Sequence, residues 1–229
     1  MYNRFRGFTL IELLVVIGLI GVLVGGIGFA MLGGGGGGLQ NTERVLQGFL
    51  LSARTNASSA IGGATGQTAA LADGASSLLL INADSTDQDG YLREMYVVYW
   101  GTDVDGVTGW LTQSGSSTLP NGIYFYPQEC QDPSATGSSF VGGSMTMNMD
   151  PPSAIAQAGT GGSKNWYFIP YDERGRLNDI DEFQVVIAEG DLLPGNTPPI
   201  EFADDPNRGG YLILNTGAIA RFPSQEAIQ

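Results

Sequence analysis

The sequence contains no histidine, one cysteine (Cys130) and one lysine (Lys164) among its 229 residues. Without histidine, a His general base and an ordinary His-ligated zinc are excluded. A lone cysteine rules out an intrachain disulfide, so stability must come from packing. Cys130 is expected to be a buried or idle thiol, although a bond between chains is chemically open to it. Basic residues are scarce altogether, ten against 23 acidic, for a formal net charge of −13. Nonspecific affinity for nucleic acid or anionic lipid comes from Lys and Arg neutralising phosphates, so nucleic acid is not an expected partner. No G-x-S-x-G occurs, and no G-K-[ST] follows a glycine run, which removes the serine-hydrolase elbow and the phosphate loop. No catalytic constellation remains, and an enzyme is not expected.

What the chain does have is one long apolar run, residues 8–32, preceded by a short leader carrying Arg4 and Arg6. Its clearly polar side chains are Thr9 and Glu12. The run is long enough for a helix to cross the hydrocarbon core of a bilayer. The two arginines place the leader on the cytoplasmic side and the C-terminal bulk outside. A secretory signal peptide would need a shorter core and a small-residue cleavage site, and 33–38 is a poor one. A plain transmembrane anchor has the same orientation and stays open on these grounds. Glu12 is the anomaly, because a carboxylate at bilayer depth costs about 3 kcal/mol on insertion scales and needs a partner. Cleavage after Gly7 would create one, since the new amine of Phe8 lies one helical turn from Glu12.

Residues 7–17, G-F-T-L-I-E-L-L-V-V-I, resemble the class III signal of type IV pilins and type II secretion pseudopilins: basic leader, Gly7 at the cleavage site, Phe8 after it, and Glu12 five residues into the mature chain. The resemblance implies a leader at 1–7 removed by prepilin peptidase, N-methylation of Phe8, and a role for Glu12 in setting register between subunits. It implies a single-pass inner-membrane protein with its domain in the periplasm or on a filament. The partners implied are prepilin peptidase, other pilin or pseudopilin subunits, an inner-membrane assembly platform and membrane lipid.

Beyond the run, six glycines at 33–38 predict a flexible hinge over 33–40, since glycine carries maximal backbone entropy. A helix is predicted from Asn41 or Thr42 to Ile61, capped by one of these residues with Glu43 in its first turn. Its apolar stripe is Val45, Leu46, Phe49, Leu50, Ala53 and Ala57, and Gly62 and Gly63 stop it. Strands are predicted at 78–81, 95–100, 110–112, 122–126, 166–170, 183–188, 211–214 and 218–222, the last two as a hairpin turning at 215–217. The fold class is α+β, an amphipathic helix packed on an antiparallel sheet in one domain, 41–229. The Gly/Ser/Met-rich stretch 127–164 is expected to be an insertion loop.

Three phrases resemble the GspH/FimT group of minor pseudopilins: Leu46, Leu50, Ala53 and Arg54 in the helix, F-I-P-Y-D-E-R-G-R-L at 168–177, and the closing L-I-L-N-T-G-A-I-A-R-F. These together imply a structural subunit, a minor pseudopilin or pilin of a type II secretion pseudopilus or type IV pilus. A binding, adhesive or DNA-uptake minor pilin is the alternative, for which the C-terminal region supplies only Arg208 and Arg221. One cluster, Asp84, Asp87 and Asp89 with Glu94 following, has the close spacing of oxygens that suits a hard cation, and calcium is the candidate. It does not fit the EF-hand pattern, and a solvated acidic turn is the plainer interpretation.

Overall fold

The computed structural model describes residues 35–60, 62–65, 72–112, 116–130, 144–148, 155–158 and 164–222. The chain divides into two units, Met1–Gly38 and Leu39–Gln229, and nearly all of the described residues belong to the second. The helix α1 spans Gly35–Ser59. Its stripe of Leu46, Leu50, Ala53 and Ala57 is fully buried, and each such leucine contributes about 1.5–3 kcal/mol by leaving water.

The start of α1 corrects two expectations. The helix takes in the glycines from Gly35 onward, so the hinge predicted over 33–40 is helical from that point, and neither Asn41 nor Thr42 is its cap. Each glycine weakens a helix by up to about 1 kcal/mol, yet extending a helix that is already nucleated adds one hydrogen bond per residue without a new nucleus. Here the nucleus is docked: Leu39, Thr42 and Glu43 are buried. Glu43 is therefore not a solvated first-turn carboxylate. It is paired with Arg221, and its main-chain oxygen accepts from the Tyr211 hydroxyl at 3.1 Å.

Thirteen strands are described, against eight predicted. The predicted ones appear as β1 (Ser77–Asn82), β2 (Glu94–Thr102), β3 (Thr108–Thr112), β5 (Ile123–Phe125), β8 (Lys164–Tyr171), β9 (Glu182–Glu189), β12 (Arg208–Leu214) and β13 (Ile219–Arg221). The others are β4 (Ser117–Thr118), β6 (Ser144–Asn148), β7 (Ile155–Ala158), β10 (Asp191–Leu192) and β11 (Ile200–Glu201). Because β6 and β7 fall inside 127–164, that stretch is not a loop throughout. It adds two paired strands to the main sheet.

The strands form two principal sheets rather than the single one expected. In the larger, the antiparallel pairings run β1–β8–β6–β7–β3–β2 and return to β1, so six strands close on themselves, with β4 added beside β2. Closure gives the domain a second core. Leu78 and Leu80 point to one side of β1, with Tyr96, Val98, Trp110, Trp166 and Phe168. Leu79 and Ile81 point to the other, into the core beneath α1. A strand buried on both faces reads as an unbroken apolar run, and S-L-L-L-I-N is buried throughout. Tyr96 and Trp166 meet edge-on at 5.4 Å between ring centroids, a favoured aromatic geometry. The smaller sheet, β13–β12–β9–β5, supplies Phe183, Val185, Ile187 and Ile213 to the core that α1 covers.

The three phrases singled out in the sequence meet at one place. Arg54 of α1 lies against the turn containing Gly175 and the β12–β13 turn containing Gly217, and its guanidinium donates to the Thr216 carbonyl at 3.3 Å. A Cβ on Gly217 would lie 2.0 Å from the Gly175 carbonyl oxygen, and one on Gly175 would lie 2.9 Å from Arg54 Cγ.

Asp172 builds the 172–176 turn. Its Oδ1 accepts the backbone N–H groups of Arg174 and Arg176, each at 2.9 Å, and its Oδ2 accepts two side-chain N–H groups of Arg176. Burial pushes the Asp172 carboxyl up, but these bonds outweigh burial and hold it below the usual carboxylate range. A depressed carboxylate adds stability that is complete above the ordinary aspartate range near pH 4 and is lost as pH falls through the folded value. Asp172→Asn is expected to cost about 1 kcal/mol at pH 7, the partner guanidinium being half-exposed. The difference should vanish towards pH 2 in denaturant titrations. A deficit independent of pH would contradict the assignment.

Candidate functional site

Gly7, Phe8 and Glu12, on which the strongest sequence expectation rests, lie outside the described residues, as does the 8–32 run. Among the described residues no helix is long and apolar enough to cross a membrane.

The acidic turn is described in full. It connects β1 to β2, and its carboxylates do different things. Asp84 closes a local turn, its Oδ1 accepting from the Thr86 N–H at 3.0 Å and the Thr86 hydroxyl at 2.7 Å. Asp87 and Glu94 converge on Lys164, with Nζ 2.6 Å from Asp87 Oδ2 and 3.3 Å from Glu94 Oε2. Asn82, at the end of β1, donates from one amide nitrogen to both carboxylates, at 2.8 and 3.1 Å. Asp89 lines the same open cleft of about 430 Å³, with Arg93, Thr118 and Asn121.

Lys164 Nζ thus bridges the Asp87 and Glu94 carboxylates. Among the described residues no group of three or more His, Cys, Asp or Glu side chains is placed to hold a metal ion. Electrostatics fit the ion pairs. Burial pushes Asp87 up, but the Lys164 ammonium and the Gly90 and Asn82 N–H groups bring it below its ordinary value. Burial pushes Lys164 down, but the two carboxylates raise it overall.

Lys164 and Asn82 lie outside the acidic run that the sequence singles out. A signal for Lys164 was present, since a single lysine in so acidic a chain has many carboxylates competing for it. Nothing local in the sequence says that β8 lies beside β1 and so brings Lys164 to Asp87.

Several other basic side chains are also committed. Arg208 pairs with Glu129 and Asp205, Arg221 with Glu43, and Arg176 with Asp172. Arg93 is buried, donates to the Leu119 carbonyl from Nε and Nη2 at 3.1 and 2.7 Å, and lies over the Tyr124 ring. Cys130 is fully buried, accepting the Val186 N–H at 3.2 Å. Burial pushes its thiol up to about 12, so it is neither a nucleophile nor a ready disulfide partner at neutral pH.

Residues 2–28 match the family described as the prokaryotic N-terminal methylation motif, a type IV pilin-like prepilin signal. The match takes in Gly7, Phe8 and Glu12 and stops short of the folded domain. No curated protein and no solved structure matches the chain.

Proposed function

We propose that this chain is a structural subunit of a type II secretion pseudopilus or type IV pilus, a minor pseudopilin or pilin most similar to the GspH/FimT group. Prepilin peptidase cuts after Gly7, Phe8 is methylated, and the 8–32 stem anchors the chain in the inner membrane and then packs in the filament, with Glu12 setting register. The observation that carries this reading is the methylation-motif match over residues 2–28. An α+β domain whose helix begins just after the apolar stem supports it. The likeness to the GspH/FimT group rests on the three sequence phrases, whose residues Arg54, Gly175 and Gly217 meet at a single contact.

A DNA-uptake role would need exposed cations free for phosphate. Arg208 and Arg221 are both in ion pairs, which disfavours it. Calcium at Asp84, Asp87, Asp89 and Glu94 would have to displace Lys164. Calorimetric titration of the protein with calcium is expected to show no heat and no rise in melting temperature; binding with stabilisation would restore the cation reading. The filament assignment itself is tested by cross-linking in whole cells and identifying the cross-linked partners by mass spectrometry. Recovery with other pilin or pseudopilin subunits is expected, and a chain cross-linked to none of them would overturn it.

A further inference from the structure

The single lysine of the chain is built into a site more elaborate than an ion pair. Asp87 is gripped at both carboxyl oxygens: the Gly90 N–H donates to Oδ1 at 3.1 Å, while the Asn82 amide and Lys164 Nζ donate to Oδ2 at 2.8 and 2.6 Å. Glu94 reaches the same Nζ at 3.3 Å and shares the Asn82 amide. The Lys164, Asp87 and Glu94 side chains are only 32, 24 and 16% exposed. Gly90 is required by this arrangement, because a Cβ there would fall 2.4 Å from Asp87 Oδ2 and 2.7 Å from Asn82 Nδ2.

We propose that this cluster is a self-modification site at which Lys164 Nζ and the Asp87 carboxyl condense to an intramolecular amide, with Glu94 carrying the protons. The ammonium first gives a proton to Asp87 Oδ2, an uphill step from the ion pair that the contacts favour at rest, leaving a neutral amine against a neutral acid. The Nζ lone pair then forms the N–C bond at Asp87 Cγ, and the negative charge of the tetrahedral adduct develops on Oδ1, which faces the Gly90 N–H. Glu94 removes a second proton from Nζ and passes it to Oδ2, the Cγ–Oδ2 bond breaks, and Oδ2 leaves as water. One ammonium and one carboxylate give one amide and one water. Glu94 is unchanged, and no oxidant or reductant is needed.

Amide formation from free ions in water is unfavourable, and contact is what alters this. Well-oriented intramolecular partners reach effective concentrations of about 10⁵–10⁸ M. Here the partners come from different parts of the fold, Lys164 from the first residue of β8 and Asp87 from the β1–β2 connection. The amide would add a covalent link between segments that hydrogen bonds, ion pairs and side-chain packing otherwise join, in a chain whose single cysteine is buried and cannot form an internal disulfide. Its value to a load-bearing filament rests on the reading proposed above; the condensation does not.

The test is tryptic peptide mapping by tandem mass spectrometry of the full chain, purified from membranes in detergent and shown to be folded by near-UV circular dichroism. The expected result is no cleavage after Lys164, and a branched species joining the peptide that ends at Arg93 to the one that carries Lys164, lighter by one water. Lys164→Arg and Glu94→Gln, which keep hydrogen-bonding groups in place, are expected to fold and to lack the branch. A folded wild-type chain that is cut after Lys164 and yields the free peptides would overturn the proposal. A Glu94→Gln chain that is branched as fully as wild type would remove Glu94 from the mechanism. The N-terminal peptide in the same map reports leader processing separately, so failure of the amide and failure of the filament reading are distinguishable.

Discussion

Glu12→Ala is expected to abolish incorporation of the chain into filaments while leaving its insertion in the membrane intact. The two readouts should separate because the carboxylate acts on them in opposite directions. On the proposed reading, Glu12 in an isolated membrane helix would be a burden of about 3 kcal/mol, and removing it would make insertion more favourable. In a filament, the amine of a processed Phe8 of a neighbouring subunit would neutralise it, and that pair could form in only one axial register. Losing a buried charge pair on one side strands the other charge, at a cost of about 3–5 kcal/mol. Each 1.4 kcal/mol is a factor of ten in an equilibrium, so incorporation should fall by at least about a hundredfold. Immunoblots of cross-linked subunit complexes and of washed membranes from the same cells make the measurement. Normal incorporation of the alanine variant would remove Glu12 from the mechanism.

Gly217→Ala is expected to be the most damaging single-methyl change in the folded domain. Gly217 has φ = 73°, in the left-handed region, which costs an L-residue roughly 1–2 kcal/mol. The added Cβ would also meet the Gly175 carbonyl oxygen at 2.0 Å and Arg54 Nε at 3.0 Å. The first neighbour is backbone and has little room to yield, since the 172–176 turn is pinned by Asp172. Overpacking of this kind costs about 1–3 kcal/mol. A total loss of about 2–5 kcal/mol should appear as a lower denaturation midpoint with unchanged slope. Gly106→Ala is the control, because Gly106 has a similar φ of 81° but open space around it, so it should show only the smaller, conformational part.

These two residues also show how far the sequence carries. Glu12 is legible at once, because a carboxylate inside an apolar run has few explanations. Gly217 is legible as a turn residue between two strands, and the β12–β13 hairpin forms where the N-T-G turn places it. That its Cα abuts Gly175 is a long-range fact with no local signal. The same division holds elsewhere. The stripe Leu46, Leu50, Ala53 and Ala57 and the core strands are set by local periodicity, and all appear. The closed ring of strands is not local. It depends on β6 and β7, which lie in a stretch whose Gly, Ser and Met composition has little strand signature. The helix starts earlier than glycine propensity alone predicts, because Leu39 and Glu43 are docked. At the acidic turn, close spacing singles out Asp87 and Glu94 but gives no sign of Lys164, which is 77 residues from Asp87 in the chain.

Mass spectrometry of the N-terminus of the protein isolated from its native membrane decides whether the chain is a processed prepilin. A mature chain that begins at an N-methylated Phe8 is expected; a chain that retains Met1 and the residue 1–7 leader would rule processing out.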